Sequence, residues 1–235
     1  EQFKDIYFSP SLSNYYETMK TSSSASNARS KQEGDYIDSS FNYSFTLNKL
    51  NQNFQPSDGY RVSFSQSLPI YSDDLSIINQ FDYSKYYSFL DDQVFAANFL
   101  FKTANSLTGD DVRVSKRLYI PSRRLRGFEK GKVGPVDSGD FIGGNYASVI
   151  NLSTNLPKFL PEVQNLEFTI FLDAANLWGV DFDSSLDNSK IRSSTGIAID
   201  WFTPIGPLSF SFAKPITKAS TDVDETFRFD IGTTF

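Results

Sequence analysis

Eight basic residues, Arg113, Lys116, Arg117, Arg123, Arg124, Arg126, Lys130 and Lys132, fall within twenty positions of a 235-residue chain whose formal net charge is −6. Their centre is "RRLRGFEKG" (123–131). Such a cluster can pair with carboxylates or touch lipid phosphates; it does not by itself break bonds. Other chemistry is scarce. Cys and His are both absent, which removes disulfides, thiol nucleophiles, Ser-His-Asp arrangements and the usual zinc ligand sets. Glu167 and Asp173 would share one face of a strand, but six residues at about 3.3 Å each set them roughly 20 Å apart, too far for a glycosidase pair. "DFDSSLDNS" (181–189) lacks the Gly and closing Glu of a calcium loop and reads as solvated surface. The residues therefore predict no enzyme, no metal and no cofactor. A pI near 4.7 argues against nucleic acid as a partner.

The elements that must position the cluster show as period-two alternation of apolar and polar residues. Phe41, Tyr43, Phe45 and Leu47 form one apolar row. Tyr60, Val62, Phe64 and Leu68 form another, interrupted at Gln66. The rows continue with Phe95, Ala97, Phe99, Phe101; Leu166, Phe168, Ile170, Leu172; Ile197, Ile199, Trp201; Leu208, Phe210, Phe212; and Phe227, Phe229, Ile231, Phe235. With weaker segments near 5–16, 75–89 and 146–156, about ten strands are predicted, each near the 9–11 residues of a tilted membrane-crossing strand. Short or moderate turns at 89–92 and 203–207 take turns with long polar loops at 20–38, 105–144 and 179–191. That asymmetry fits an all-β, antiparallel transmembrane β-barrel better than a soluble sandwich. Trp178, Trp201 and Tyr146 suit an interfacial aromatic girdle.

On these phases the second face carries Ser, Asn, Thr and Gly, as a hydrated lumen accepts, and Glu167, Asp173, Asp200 and Asp230 point inward. Charge alone leaves two readings of 105–144: a loop folded back onto this acidic wall, or a solvated basic loop.

"RRLRGF", "GDFIGGN" (139–145), "FLDAANLW" (171–178), "WFTPIGPLSFSFAKPI" (201–216) and "ETFRFDIGTTF" (225–235), in this order, resemble the C-terminal barrel of the BamA family of outer-membrane barrel insertases. The resemblance covers about 118–235; before that only the strand rhythm agrees. It implies that the loop lies inside the barrel with Arg126, Gly127 and Phe128 at its tip, and that Asp173 is the wall carboxylate for Arg126. Family members often carry a second acidic residue on the preceding strand, where this chain has Ser153, which leaves Arg126 a single carboxylate partner there, its grip weaker or shared with Glu167. It also implies that the last strand, with Phe227, Phe229, Ile231, Gly232 and Phe235, forms one side of a lateral gate that admits substrate strands by edge pairing.

A barrel of this family has about sixteen strands, within the 8–26 usual for such barrels, so residues 1–235 are expected to be its C-terminal portion, forming an open curved sheet or a smaller closed barrel. Glu1 is not an initiator residue, and the family's periplasmic domains are expected to lie outside this chain. The implied role is folding and inserting β-barrel proteins into the bacterial outer membrane. Its partners would be unfolded outer-membrane β-barrel proteins, accessory lipoproteins and outer-membrane lipids. Alternatives are a related translocation barrel, TamA-like or of two-partner secretion, and a passive porin.

Overall fold

A computed structural model describes residues 5–90, 93–157, 165–187, 189–203 and 206–232. Ten strands form one antiparallel sheet: β1 (Ile6–Met19), β2 (Gly34–Asn48), β3 (Gly59–Ser72), β4 (Ser76–Leu90), β5 (Gln93–Ser106), β8 (Tyr146–Asn155), β9 (Leu166–Trp178), β10 (Arg192–Thr203), β11 (Gly206–Thr217) and β12 (Phe227–Ile231). Each pairs with its sequence neighbour in the sheet. Between β5 and β8 the chain makes one small hairpin, β6 (Val136–Asp137) with β7 (Asp140–Phe141). The single α-helix among the described residues, Asn27–Ser30, has four residues. No helix among the described residues is long and apolar enough to cross a membrane.

The sheet is open: β1 and β12 are its edges and do not pair with each other among the described residues. It is nonetheless strongly curled, because Phe54 in the β2–β3 connection packs against Phe202 of β10 with ring centroids 5.2 Å apart. Every predicted strand is present. Most are longer than the alternation alone suggests, with β2 and β4 reaching 15 residues.

The apolar rows face outward. Ile170, Leu172, Ile197, Trp201, Phe212, Phe227, Phe229 and Ile231 are all exposed, and neighbouring strands stack them, as in Phe210–Phe229 at 4.9 Å and Phe212–Phe227 at 5.0 Å. Gln66 interrupts the row without orphaning its amide. Across four strands on the same face, Tyr43 Oη donates to Gln66 Oε1 (2.7 Å), Gln66 Nε2 to Asn79 Oδ1 (2.5 Å), and Asn79 Nδ2 to Thr103 Oγ1 (3.0 Å). Each member lies directly opposite the next. A polar break in a lipid-facing surface is tolerable because its groups satisfy one another.

The inner face departs from the expected hydrated lumen. Towards the rim that carries the long loops it is dry: Leu100 and Ala104 of β5, Ala147 and Val149 of β8, and Ala175 and Leu177 of β9 are buried with Leu118, Ile120, Leu125, Phe128 and Val133 from the β5–β8 loop. Small wall residues leave room, and the loop fills it. The molecule's main core is thus a contact between sheet and loop, and alternation along the strands carries no signal for it.

Candidate functional site

The β5–β8 loop (107–145) lies against the concave face, fixed by ion pairs that radiate to much of the sheet. Near its start Arg113, whose guanidinium also sits 4.1 Å over the Tyr36 ring, pairs with Asp38 of β2 and, at 3.3 Å, with Glu17 of β1. Lys116 reaches the same Asp38 at 2.6 Å. Arg124 meets Asp82 of β4 at 3.5 Å, and Arg123 meets Asp230 of β12 at 3.8 Å. The acidic wall and the basic loop therefore share one cavity, which resolves the two electrostatic readings in favour of docking.

At the tip, Asp173 is completely buried and accepts four hydrogen bonds. Arg126 supplies three of them, from its backbone N (3.1 Å), Nε (2.8 Å) and Nη2 (2.8 Å), and Asn151 Nδ2 supplies the fourth (2.8 Å). Four donors fill the lone-pair sites of one carboxylate. The side-chain pair is the two-pronged arginine–carboxylate arrangement, the strongest geometry such a pair adopts. Arg126 also lies with Cζ 3.4 Å from the centroid of the Phe171 ring, adding a cation–π contact. Its carbonyl accepts from Ser194 Oγ on β10.

Gly127 is required here for two reasons. Its φ is +89°, a conformation that side-chain-bearing residues rarely adopt, and a Cβ would approach those of Ala213 and Ser194 to 3.2 Å. Phe128 is 1 % exposed, sunk into the sheet–loop core. Phe171 turns inward from a row of polar residues because Gly196 opposite it makes space: a Cβ there would lie 2.9 Å from the Phe171 ring.

The structure thus brings together Arg126, Gly127, Phe128 and Asp173. Glu167 lies at the far end of β9 and accepts from Gln55 (3.2 Å), while Ser153 faces Phe171 across the β8–β9 ladder. The residue on β8 that reaches the carboxylate is Asn151, two positions earlier on the same face. It also donates to the Arg124 carbonyl at 2.7 Å. Asn151 has no distinguishing sequence signal until the β8–β9 register sets it opposite Asp173.

Phe227, Phe229 and Ile231 point outward on the edge strand, and Gly232 follows it at φ +110°, donating its N–H to the Pro207 carbonyl. Phe235 lies outside the described residues. The glycine answers to a backbone bend, since a Cβ there would meet nothing.

Two further carboxylates hold loops together at this rim, and both escape sequence reading. Asp181, expected to be solvated, pairs with the fully buried Arg117 side chain at 2.6 Å and accepts from Asn145 (2.9 Å) and the Val112 N–H (2.8 Å). Burial pushes its carboxyl up, but these donors and the Arg117 charge outweigh that and hold it below the usual carboxylate range. Asp111 moves the other way, raised by burial and then by the Asp181 charge. A depressed carboxyl contributes stability fully present above its unfolded value of about 3.9 and lost as pH falls through the lower folded value. Protonating Asp111 first relieves repulsion and does not release the loop. Pepsin should therefore leave the loop intact at about pH 4.5 and cut it only well below pH 4, whereas Asp181→Asn should shift the onset of cutting upward. The second carboxylate, Asp222, forms with Arg192 a pair in which both side chains are fully buried. Among the described residues no cluster of acidic residues could hold a metal ion.

The Omp85 superfamily domain matches residues 3–235. Among curated proteins, the outer membrane protein assembly factor BamA of Neorickettsia risticii (strain Illinois) is 28 % identical over 208 residues, covering 86 % of this chain and 28 % of that protein. BamA of Neisseria meningitidis serogroup B is 29 % identical over 141 residues, covering 47 % of the chain and 17 % of that protein. The crystal structure of BamA from Haemophilus ducreyi lacking POTRA domains 1–3 superposes with a TM-score of 0.86 at 25 % identity, over 96 % of this chain and 51 % of that one. The chain thus spans about half of that solved structure and less than a third of these curated relatives.

Proposed function

Because this chain belongs to the Omp85 superfamily, we propose that it is the C-terminal portion of an outer-membrane barrel that folds and inserts other β-barrel proteins. It resides in the outer membrane, with the apolar rows of its strands as the lipid-facing surface. Catalysis here is of folding, without covalent chemistry. In this reading substrates are unfolded outer-membrane β-barrel proteins, accessory lipoproteins bind periplasmic domains beyond this chain, and outer-membrane lipids surround the sheet. The observation that carries the proposal is the docked tip: Arg126 held two-pronged by a buried Asp173, with Phe128 sealed behind it. A passive porin would keep its lumen open. Here sheet and loop close much of it with apolar contacts.

The lock holds the loop against the inner wall, and the edge strand β12 is the surface to which a substrate strand would add. The free N–H and C=O groups of an edge are a template for strand addition. In the test, Arg126→Ala is expected to open the loop to protease and to slow the assembly of a reporter outer-membrane barrel. Unchanged protease resistance together with unchanged assembly would overturn the proposal.

A further inference from the structure

Among the described residues the edge strand β12 has a ladder on one side only, five residues long, from Leu208 opposite Ile231 to Phe212 opposite Phe227. An edge strand held by so short a ladder needs other contacts to stay in place. The tip of the docked loop supplies them. Arg228, on the inward face of β12, donates from Nη1 to the Ser122 carbonyl and from Nη2 to the Phe128 carbonyl at 2.7 Å, and pairs with Glu225. Its side chain is 11 % exposed. Ser122 and Phe128 bracket the turn that carries Arg126, so one guanidinium closes that turn and ties it to the edge strand. Backbone bonds extend the seam: Glu225 N–H to the Gly127 carbonyl (3.0 Å), Glu129 N–H to the Val223 carbonyl (2.9 Å) and Val223 N–H to the Lys132 carbonyl (3.1 Å).

We infer that Arg228 is a positioning residue that couples loop docking to retention of β12: the arginine lock on β9 and the pairing of the edge strand form one cooperative unit. Arg126 grips Asp173 from one side of the tip and Arg228 grips the tip from the other. Loosening either grip should loosen β12. The geometric coupling stands on these contacts alone, while its consequence for substrate entry rests on the proposed function.

The experiment is amide hydrogen exchange of residues 227–231 in the protein reconstituted in lipid vesicles, with assembly of a reporter barrel measured in parallel. Arg228→Met keeps the apolar stem and removes every donor. It should speed β12 exchange at least tenfold while β9 exchange stays at the native rate. Arg228→Lys, with a single charged end, should fall between. Arg126→Ala should speed β12 exchange as well, and the Arg126→Ala/Arg228→Met double variant should be no faster than the faster single variant. Native β12 exchange in Arg228→Met, or independent multiplying effects in the double variant, would overturn the coupling. If β12 exchange rises and assembly proceeds at the native rate, the coupling holds and it is the gate role assigned to β12 that falls.

Discussion

Asp222→Ala is expected to destabilise the loop rim by about 3–5 kcal/mol, the cost of leaving one member of a buried ion pair without its partner. Asp222 accepts from Arg192 Nε (3.0 Å) and Nη2 (3.3 Å), from the Gly134 N–H (3.3 Å) and from the Ala219 N–H (2.6 Å). It therefore joins three segments: the β5–β8 loop, the start of β10 and the β11–β12 connection. Alanine would leave the guanidinium of Arg192, which is 0 % exposed, without the carboxylate that balances its charge, and would orphan two backbone donors. Denaturant unfolding of the protein in vesicles should show the loss. Arg192→Met in the same chain should recover much of it by removing the stranded charge, and an Asp222→Ala variant as stable as the native protein would refute the account.

Asp173→Ala comes second, at about 3 kcal/mol, the lower end of the same range. The difference lies in solvent. The Arg126 side chain is 18 % exposed and can recruit water once its carboxylate is gone, whereas Arg192 cannot. Asn151 and the Arg126 N–H also lose their acceptor, although Asn151 keeps the Arg124 carbonyl. The expected readout is exposure of the tip. The chain has no native cysteine, so a single Val133→Cys, at a buried loop position in the sheet–loop core, reports cleanly: labelling should require slow opening in the parent and become fast with Asp173→Ala. Equal labelling rates would show that Phe128 and the surrounding apolar contacts hold the loop without the ion pair.

The strands could be read from the sequence because the bilayer enforces alternation on one face. Phe41, Tyr43 and Phe45 must all meet lipid, so period two survives in the residue types. The inner face carries no such constraint. Leu100, Val149 and Leu177 lie at inward positions where polar residues were expected, and only the docked loop explains them. Arg126 and Asp173 were recognisable as partners through family resemblance together with strand phase. Asn151, Ser194 and Phe171 were not, because each acts through a cross-strand neighbour and the register is a tertiary fact. Arg192 and Asp222 look like ordinary rim charges until three segments meet at them, and Arg228 looks like any inward strand residue until the loop tip docks on it.

The side-chain chain from Tyr43 through Gln66 and Asn79 to Thr103 bears on a different problem, how neighbouring strands align while the sheet forms. Sliding β3 by one residue would turn its apolar row away from lipid, an error the membrane rejects at once. Sliding it by two keeps every apolar residue outward, so hydrophobicity alone cannot detect the mistake. Gln66 would then face Phe41 or Phe45 in place of Tyr43, and its amide would be left unbonded in hydrocarbon at a cost of several kcal/mol. One polar residue in an otherwise greasy row thus gives these four strands a single correct alignment.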